Sequence, residues 1–262
     1  MTDKIALSPL PVAPRRGARN DRVRATLGVL VCLFLAGCHQ PAPTPCLGPS
    51  YADRVIDPQA GTFGPFGDPN RAANGVRGAG DYGGGGDVFS LDQTRLGSIT
   101  LAWSCGRVSD GPGADLAVFE NAFRDEADPG FLYFEPLVVS VSSDGVTFID
   151  FPHVYRGGRG GRARDPRSWI GFAGFGAVRF HEDSFGPGQG IDPFDTARAG
   201  GDPFDLATLG ETAEAARVRA EGVAFVTLTA AERRGFPRIR GGSADIDGVY
   251  GRFFQGVQNH EE

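Results

Sequence analysis

Two short stretches of this chain place carboxylates where chemistry could be done. The first is "GADLAVFENAF", residues 113–123, in which apolar Leu116 to Phe119 stand between Asp115 and the Glu120–Asn121 pair. The second is "SADIDGVY", residues 243–250, with Asp245 and Asp247 two positions apart. Acid–base catalysis, a hard-cation site and turn chemistry are the options for such groups. An extended segment rises about 3.3 Å per residue, which sets Asp115 and Glu120 roughly 17 Å apart. Glycosidase carboxylates lie about 5–9.5 Å apart, and Ca²⁺ ligands lie within about 2.6 Å of the ion. Asp115 and Glu120 are therefore neither a catalytic pair nor ligands of one ion; they mark opposite ends of a strand. On a strand Asp245 and Asp247 share one face, with Ile246 on the other. Their charges repel unless a cation, or an arginine such as Arg240 or Arg252, neutralises them. If the two stretches meet in space, Glu120, Asn121, Asp245 and Asp247 form an oxygen-rich set suited to a structural Ca²⁺. The alternative is that they are solvated or arginine-paired strand residues.

Other candidates are less compact. "HEDSFGPGQGIDPFDTARAGGDPFD", residues 181–205, is a loop dense in Asp, Gly and Phe. Asp192 and Asp195 read as turn caps or as ligand contacts, and Phe185 and Phe194 either plug the core or present a binding surface. "RGGRGGRARDPR", residues 156–167, concentrates five Arg. It reads as a solvated loop or as a contact for anionic groups such as lipid phosphates or acidic polysaccharide. Catalytic motifs are sparse. No Ser stands in a G-x-S-x-G context and no H-E-x-x-H occurs. Glu135 and Glu182 are acids without a partner legible in the sequence.

The elements that must position these residues are strands. "GSITLAWS" (97–104), "DLAVF" (115–119), "FEPLVVSVS" (134–142), "VTFIDF" (146–151), "GVAFVTLT" (222–229) and "DIDGVYGRFF" (245–254) are rich in β-branched and aromatic residues. Asp144-Gly145 predicts a two-residue hairpin turn with Val141 facing Phe148. "DLATLGETAEAARVRA", residues 205–220, is the one helical pattern, with Asp205 as N-cap. The Gly-rich stretch 60–87 predicts loop. The pattern is all-β: a single β-sandwich domain over residues 51–262, with long Gly-rich loops and at most one short helix.

The amino-terminal segment is not fold. Five Arg between positions 15 and 24 precede the apolar run 25–37, which is too short to span a bilayer and fits a signal peptide covering residues 1–37. The run ends in Leu35-Ala36-Gly37-Cys38, which resembles a lipobox and predicts acylation of Cys38. His39 follows rather than Asp, which predicts the outer membrane. A Pro-rich tether covers residues 38–50. After cleavage 20 basic and 30 acidic residues remain, a net charge of about −10 with neutral His. Such a body does not favour nucleic acid or anionic lipid as its main partner, so the lipid anchor would hold it at the membrane. Cys46 and Cys105 remain after Cys32 and Cys38 are assigned, and the oxidising compartment favours a disulfide between them over two thiols.

Five ordered motifs, "LGSITLAW", "GADLAVFENAF", "VSVSSDGVTFIDFP", "AGGDPFDLATLG" and "ADIDGVYG", resemble a family of bacterial cell-surface lipoproteins. The match runs from Leu96 to Tyr250. It departs from the family pattern at Ala244, at Ile246 and in the Arg/Gly insert 156–167. The resemblance implies a galactose-binding-like, discoidin-like jelly roll, a fold that often carries structural Ca²⁺ and binds glycans or lipids through loops at one end. It implies no established activity. The leading expectation is a non-enzymatic surface module for an extracellular glycan, polymer or small ligand. The alternatives are a carboxylate-dependent glycan hydrolase, an accessory lipoprotein of an outer-membrane cofactor receptor, and a structural envelope protein.

Overall fold

The computed structural model describes residues 50–59, 65–91, 97–158, 162–183, 189–239 and 243–255, all within the compact unit Ala42–Glu262. The signal segment, most of the tether, Cys38, Cys46, Phe185 and Arg240 lie outside the described residues. The strands are β1 (Arg54–Gln59), β2 (Phe89–Ser90), β3 (Ser98–Ala102), β4 (Arg107–Val108), β5 (Leu116–Glu120), β6 (Phe123–Arg124), β7 (Leu132–Tyr133) and β8 (Leu137–Ser142). They continue with β9 (Ile149–Asp150), β10 (Val154–Tyr155), β11 (Trp169–Ile170), β12 (Asp202–Phe204), β13 (Phe225–Ala230), β14 (Asp245–Gly251) and β15 (Phe254–Gln255).

The protein is all-β and antiparallel. One sheet has five strands in the order β1-β3-β13-β8-β9, and a second has four in the order β12-β5-β14-β2. Both contribute to one core. Ile99, Leu101, Val139, Val141, Val226 and Leu228 from the first sheet pack with Leu116, Val118, Ile246 and Val249 from the second. The alternate residues are buried too. Ala117 and Phe119 of β5 and Tyr250 of β14 pack under Val76, Val178 and Phe180, while Val138 of β8 packs with Ala122, Phe134, Trp169 and Phe172. Loops thus cover the outer faces, and this is why β5 and β8 read as continuous apolar runs rather than alternating ones.

Three expectations are corrected. The helical pattern at 205–220 splits in two. Asp205 caps a short 3-10 turn, Leu206–Thr208, by accepting from the Ala207 N–H at 2.8 Å. Thr212, not Asp205, caps helix α2 (Ala213–Glu221), accepting from the Ala215 N–H at 3.1 Å. A four-residue helix, α1 (Thr196–Ala199), precedes it, so the described residues hold two α-helices rather than one. The β8–β9 hairpin pairs Val141 with Ile149 rather than with Phe148. The wider loop forms because side chains take over the turn's amides. Asp144 Oδ1 accepts from Val146 N at 2.8 Å and from Thr147 N at 2.9 Å, and Ser142 Oγ accepts from Gly145 N at 2.9 Å. Gly145 sits at φ +75°, where a Cβ would be strained.

Candidate functional site

The end of β5 does meet the start of β14. Ile246 stands opposite Glu120, the Asn121 N–H donates to the Asp245 carbonyl at 2.9 Å, and the Asp245 N–H donates to Glu120 Oε1 at 3.2 Å. Ser90 Oγ donates to Asp245 Oδ1. Asn121 also latches the Gly-rich loop to this strand end. Its Oδ1 accepts from Gly85 N at 2.6 Å and its Nδ2 donates to Gly85 O at 3.2 Å. A Cβ on Gly84 would stand 2.9 Å from Asn121 Nδ2, so the loop closes down only because no side chain is there.

Asp247 is not part of this group. The pairing jumps from Ile246↔Glu120 to Gly248↔Phe119, which makes Asp247 the extra residue of a β-bulge. The bulge breaks the i, i+2 alternation on which the expected four-residue cation set depended. Asp247 accepts instead from the Arg77 N–H at 2.9 Å. It is fully buried, its second oxygen has no donor, and burial pushes its carboxyl up to about 7, with Asp87 adding to the effect. The four residues therefore do not form the cation cage expected from the sequence.

Glu135 takes the place left open. Its carboxyl group neighbours that of Glu120, whose second oxygen is buried without a hydrogen-bond partner. Burial, with the charge of Asp245, raises Glu135 to about 7. Glu120 is driven well above the usual carboxylate range by burial and then by Glu135. Burial of Glu120 and the nearness of a second acid both favour its protonated form. Glycosidase carboxylates are open to a sugar and a water, whereas Glu120 is 1 % exposed.

Asp115, at the far end of β5, does more than begin a strand. It is fully buried; Oδ1 accepts from Gly111 N at 2.9 Å and Oδ2 from Leu206 N at 2.8 Å. Burial raises it to about 6 against the pull of those two bonds. Carboxylate oxygens of Asp110, Asp115 and Asp205 lie within 4.8 Å of one another. Among the described residues this is the three-carboxylate set whose spacing suits oxygen coordination of a hard cation.

Between Asn121 and Glu135 the chain runs out and back as the β6–β7 hairpin. Phe123 pairs with Tyr133 and Arg124 with Leu132. The Phe123 and Tyr133 rings stack with centroids 4.9 Å apart, and Phe131 meets Tyr133 edge-on, also at 4.9 Å. Asp125 organises the turn, accepting from Ala127 N at 2.8 Å and from the Tyr133 hydroxyl at 3.1 Å. Ala122 and Phe134, at the feet, are buried. Tyr133 is 42 % exposed. The sequence carries a signal for this element, since Asp128-Pro129-Gly130 stands directly before an aromatic run.

The 181–205 loop has a packing role where it is described. Phe194 is partly buried against the second core cluster, under the Arg252 guanidinium, 4.1 Å from its centroid. Asp192 holds Arg252 at 2.8 Å and accepts from Phe194 N at 2.9 Å. Asp195 precedes α1, and its carbonyl accepts from Ala199 N at 2.7 Å. Arg252, considered from the sequence as a partner for Asp245 and Asp247, is thus engaged with Asp192 and Phe194. No protein-family model, curated protein or solved structure matches this chain.

Proposed function

We propose that this protein is a lipid-anchored, non-catalytic module of the bacterial outer membrane that binds an extracellular glycan through the β6–β7 hairpin. The observation that carries the reading is the aromatic stack of Phe123, Tyr133 and Phe131 on an element with buried feet and an exposed tip. A rigid aromatic surface offers its faces to the C–H bonds of sugar rings, and the Tyr hydroxyl and neighbouring polar groups supply hydrogen bonds. Two antiparallel sheets sharing a core are compatible with the galactose-binding-like jelly roll that the motifs suggest. The burial of Glu120 counts against glycan hydrolysis by that pair. The test is affinity electrophoresis and calorimetry against a panel of soluble polysaccharides. Tyr133→Ala is expected to weaken binding about tenfold, in line with loss of a well-packed aromatic contact, in a domain that still folds cooperatively. Undiminished binding by a folded Tyr133→Ala variant overturns the assignment of the hairpin.

Anchoring and the covalent tie belong to the same reading. Intact-mass analysis of the purified protein is expected to show a chain that starts at an acylated Cys38, and Cys38→Ala is expected to leave the detergent phase. Retention of that variant in detergent refutes the anchor. Cys105 is not a free thiol, and we assign Cys46 as its partner. Such a bond would stabilise the domain by on the order of 4 kcal/mol in the chain-entropy account. Both thiols alkylating in unreduced, denatured protein would refute the pairing.

A further inference from the structure

The aromatic hairpin and the Gly-rich loop before β2 form one surface. The Arg124 N–H donates to the Asp81 carbonyl at 2.7 Å, and Asn121 holds Gly85 through both atoms of its amide. A Cβ on Gly84 would stand 3.1 Å from the Phe123 ring, so the loop backbone lies against that ring. Arg179 pins the loop as well, its guanidinium 2.6 Å from the Asp81 carboxylate. Tyr82 stands between Asp81 and Gly84. At 53 % it is, with Tyr133 at 42 %, one of the two most exposed aromatic side chains among the described residues. Phe123 is covered by Tyr133 and by the loop. Over Phe131 lies the guanidinium of Arg164, itself already partnered. Tyr133 and Tyr82 are therefore the open rings of this surface.

The hairpin is anionic. Residues 122–134 carry three acids, Asp125, Glu126 and Asp128, against one base, Arg124, which gives a net charge of −2. Arg124 serves the backbone, its Nη1 donating to the Pro129 carbonyl at 3.0 Å. Asp125 stands beside the open ring, where its Oδ2 accepts from the Tyr133 hydroxyl at 3.1 Å. The Ala127 N–H, and then that hydroxyl, hold the Asp125 carboxyl below its usual range. Asp125 in turn raises the Tyr133 hydroxyl, and Arg164 opposes it more weakly. The field at this ring is negative although an arginine is near.

We infer that the ligand is a glycan chain bearing free amines, with its sugar faces on Tyr133 and Tyr82 and an ammonium group on Asp125. The inference rests on the glycan-binding reading above and names the chemical class of the ligand. An aromatic face takes the C–H side of a sugar ring and also attracts a cation. Oδ1 of Asp125 is occupied by the turn, accepting from Ala127 N at 2.8 Å. Oδ2 holds the tyrosine hydroxyl and has a lone pair left for a charged donor, the stronger kind of hydrogen bond. Two open rings on two segments engage more than one sugar, which favours a chain over a single residue. An acidic glycan would meet like charge at the turn and over the whole mature body.

The test is calorimetry of the full mature chain at pH 5, where the amines are charged. It compares a β-1,4-linked glucosamine hexamer with its fully N-acetylated form, which keeps the rings and removes the charge. A lysine hexamer supplies charge without sugar. The glucosamine hexamer is expected to bind at least tenfold more tightly than the acetylated one. Asp125→Asn keeps an acceptor for the Ala127 N–H and is expected to erase that difference. Tyr133→Ala and Tyr82→Ala are each expected to weaken both sugar hexamers, and the lysine hexamer is expected to be indifferent to all three substitutions. Equal or tighter binding of the acetylated hexamer, binding of neutral glycans alone, or a glucosamine preference that survives Asp125→Asn overturns the amine class; the glycan reading then stands on its Tyr133→Ala result. Tyr82→Ala binding like wild type overturns the shared surface. Glucosamine-hexamer binding that none of the substitutions changes is bulk attraction to an acidic protein, and it overturns the inference. Absence of binding to both sugar hexamers and to the panel of neutral glycans overturns both readings.

Discussion

Asp115→Ala is expected to lower the stability of the folded domain by about 3–5 kcal/mol, since it leaves two N–H groups without their charged acceptor. The donors are Gly111 on one side and Leu206, fully buried, on the other. A buried donor without an acceptor costs about 1–3 kcal/mol, and hydrogen bonds to charged groups are the stronger kind. In a domain of this size the loss corresponds to a fall in Tm on the order of 10 °C. Asp115→Asn keeps one acceptor oxygen and is expected to cost about half as much. Urea unfolding at fixed temperature checks both variants. A change in Asp115→Ala of less than about 0.5 kcal/mol, the range of an ordinary surface substitution, would show that water replaces the carboxylate without penalty.

Asp115 also shows what a sequence conceals. That it begins a strand follows from the apolar run after it. Its second partner, Leu206, is 91 residues away, and no local pattern could have named it. The meeting of Glu120 and Asn121 with Asp245 was legible because each pair stands at the edge of an apolar run that needed an antiparallel neighbour. The bulge at Asp247 was hinted at by Gly248, since glycine inside a strand often marks such a site. That hint went against the simple alternation and reversed the direction of one carboxylate. Strand β1 has no clear strand signature because "RVIDPQ" holds Pro58. Proline is tolerated there because β1 is at the edge of its sheet. Glu135 lies beside Glu120 because a hairpin folds out between them, a juxtaposition that no local pattern announces. An aromatic residue in a polar loop suits a binding surface and a packing role alike, and Phe194 takes the second, under Arg252.

Stability is expected to fall as pH rises from about 4.5 to about 7, opposite to the behaviour of a protein held by ion-paired carboxylates. The buried acids set the sign. Glu135 and Asp247 each hold a proton up to about 7 in the folded state, against ordinary values of 4.5 and 3.8. Between those limits the folded state binds more protons than the unfolded chain, so raising pH favours unfolding. Below about pH 4 both states are protonated and these groups contribute no difference; above about 7 their penalty is complete. Asp115, raised to about 6, adds to the same slope. Asp144 acts oppositely but outside this window. Arg217 and the turn amides hold it well below the usual range, so what it contributes is lost only as pH falls beneath its ordinary value of 3.8. Glu120→Gln isolates the acid pair. Its carbonyl can still accept from Asp245 N, and its neutral amide removes one of the two neighbouring acids. One pKa unit corresponds to about 1.4 kcal/mol, and relief of one to two units at the pair would stabilise the variant by about 1–3 kcal/mol at pH 8. At pH 4, where the wild-type pair already holds its protons, the two proteins are expected to match. Urea melts at pH 4, 4.5, 6 and 8 decide it. A flat wild-type profile across that range, or a Glu120→Gln variant less stable than wild type at pH 8, would mean that the carboxylates are neutralised by something other than protons.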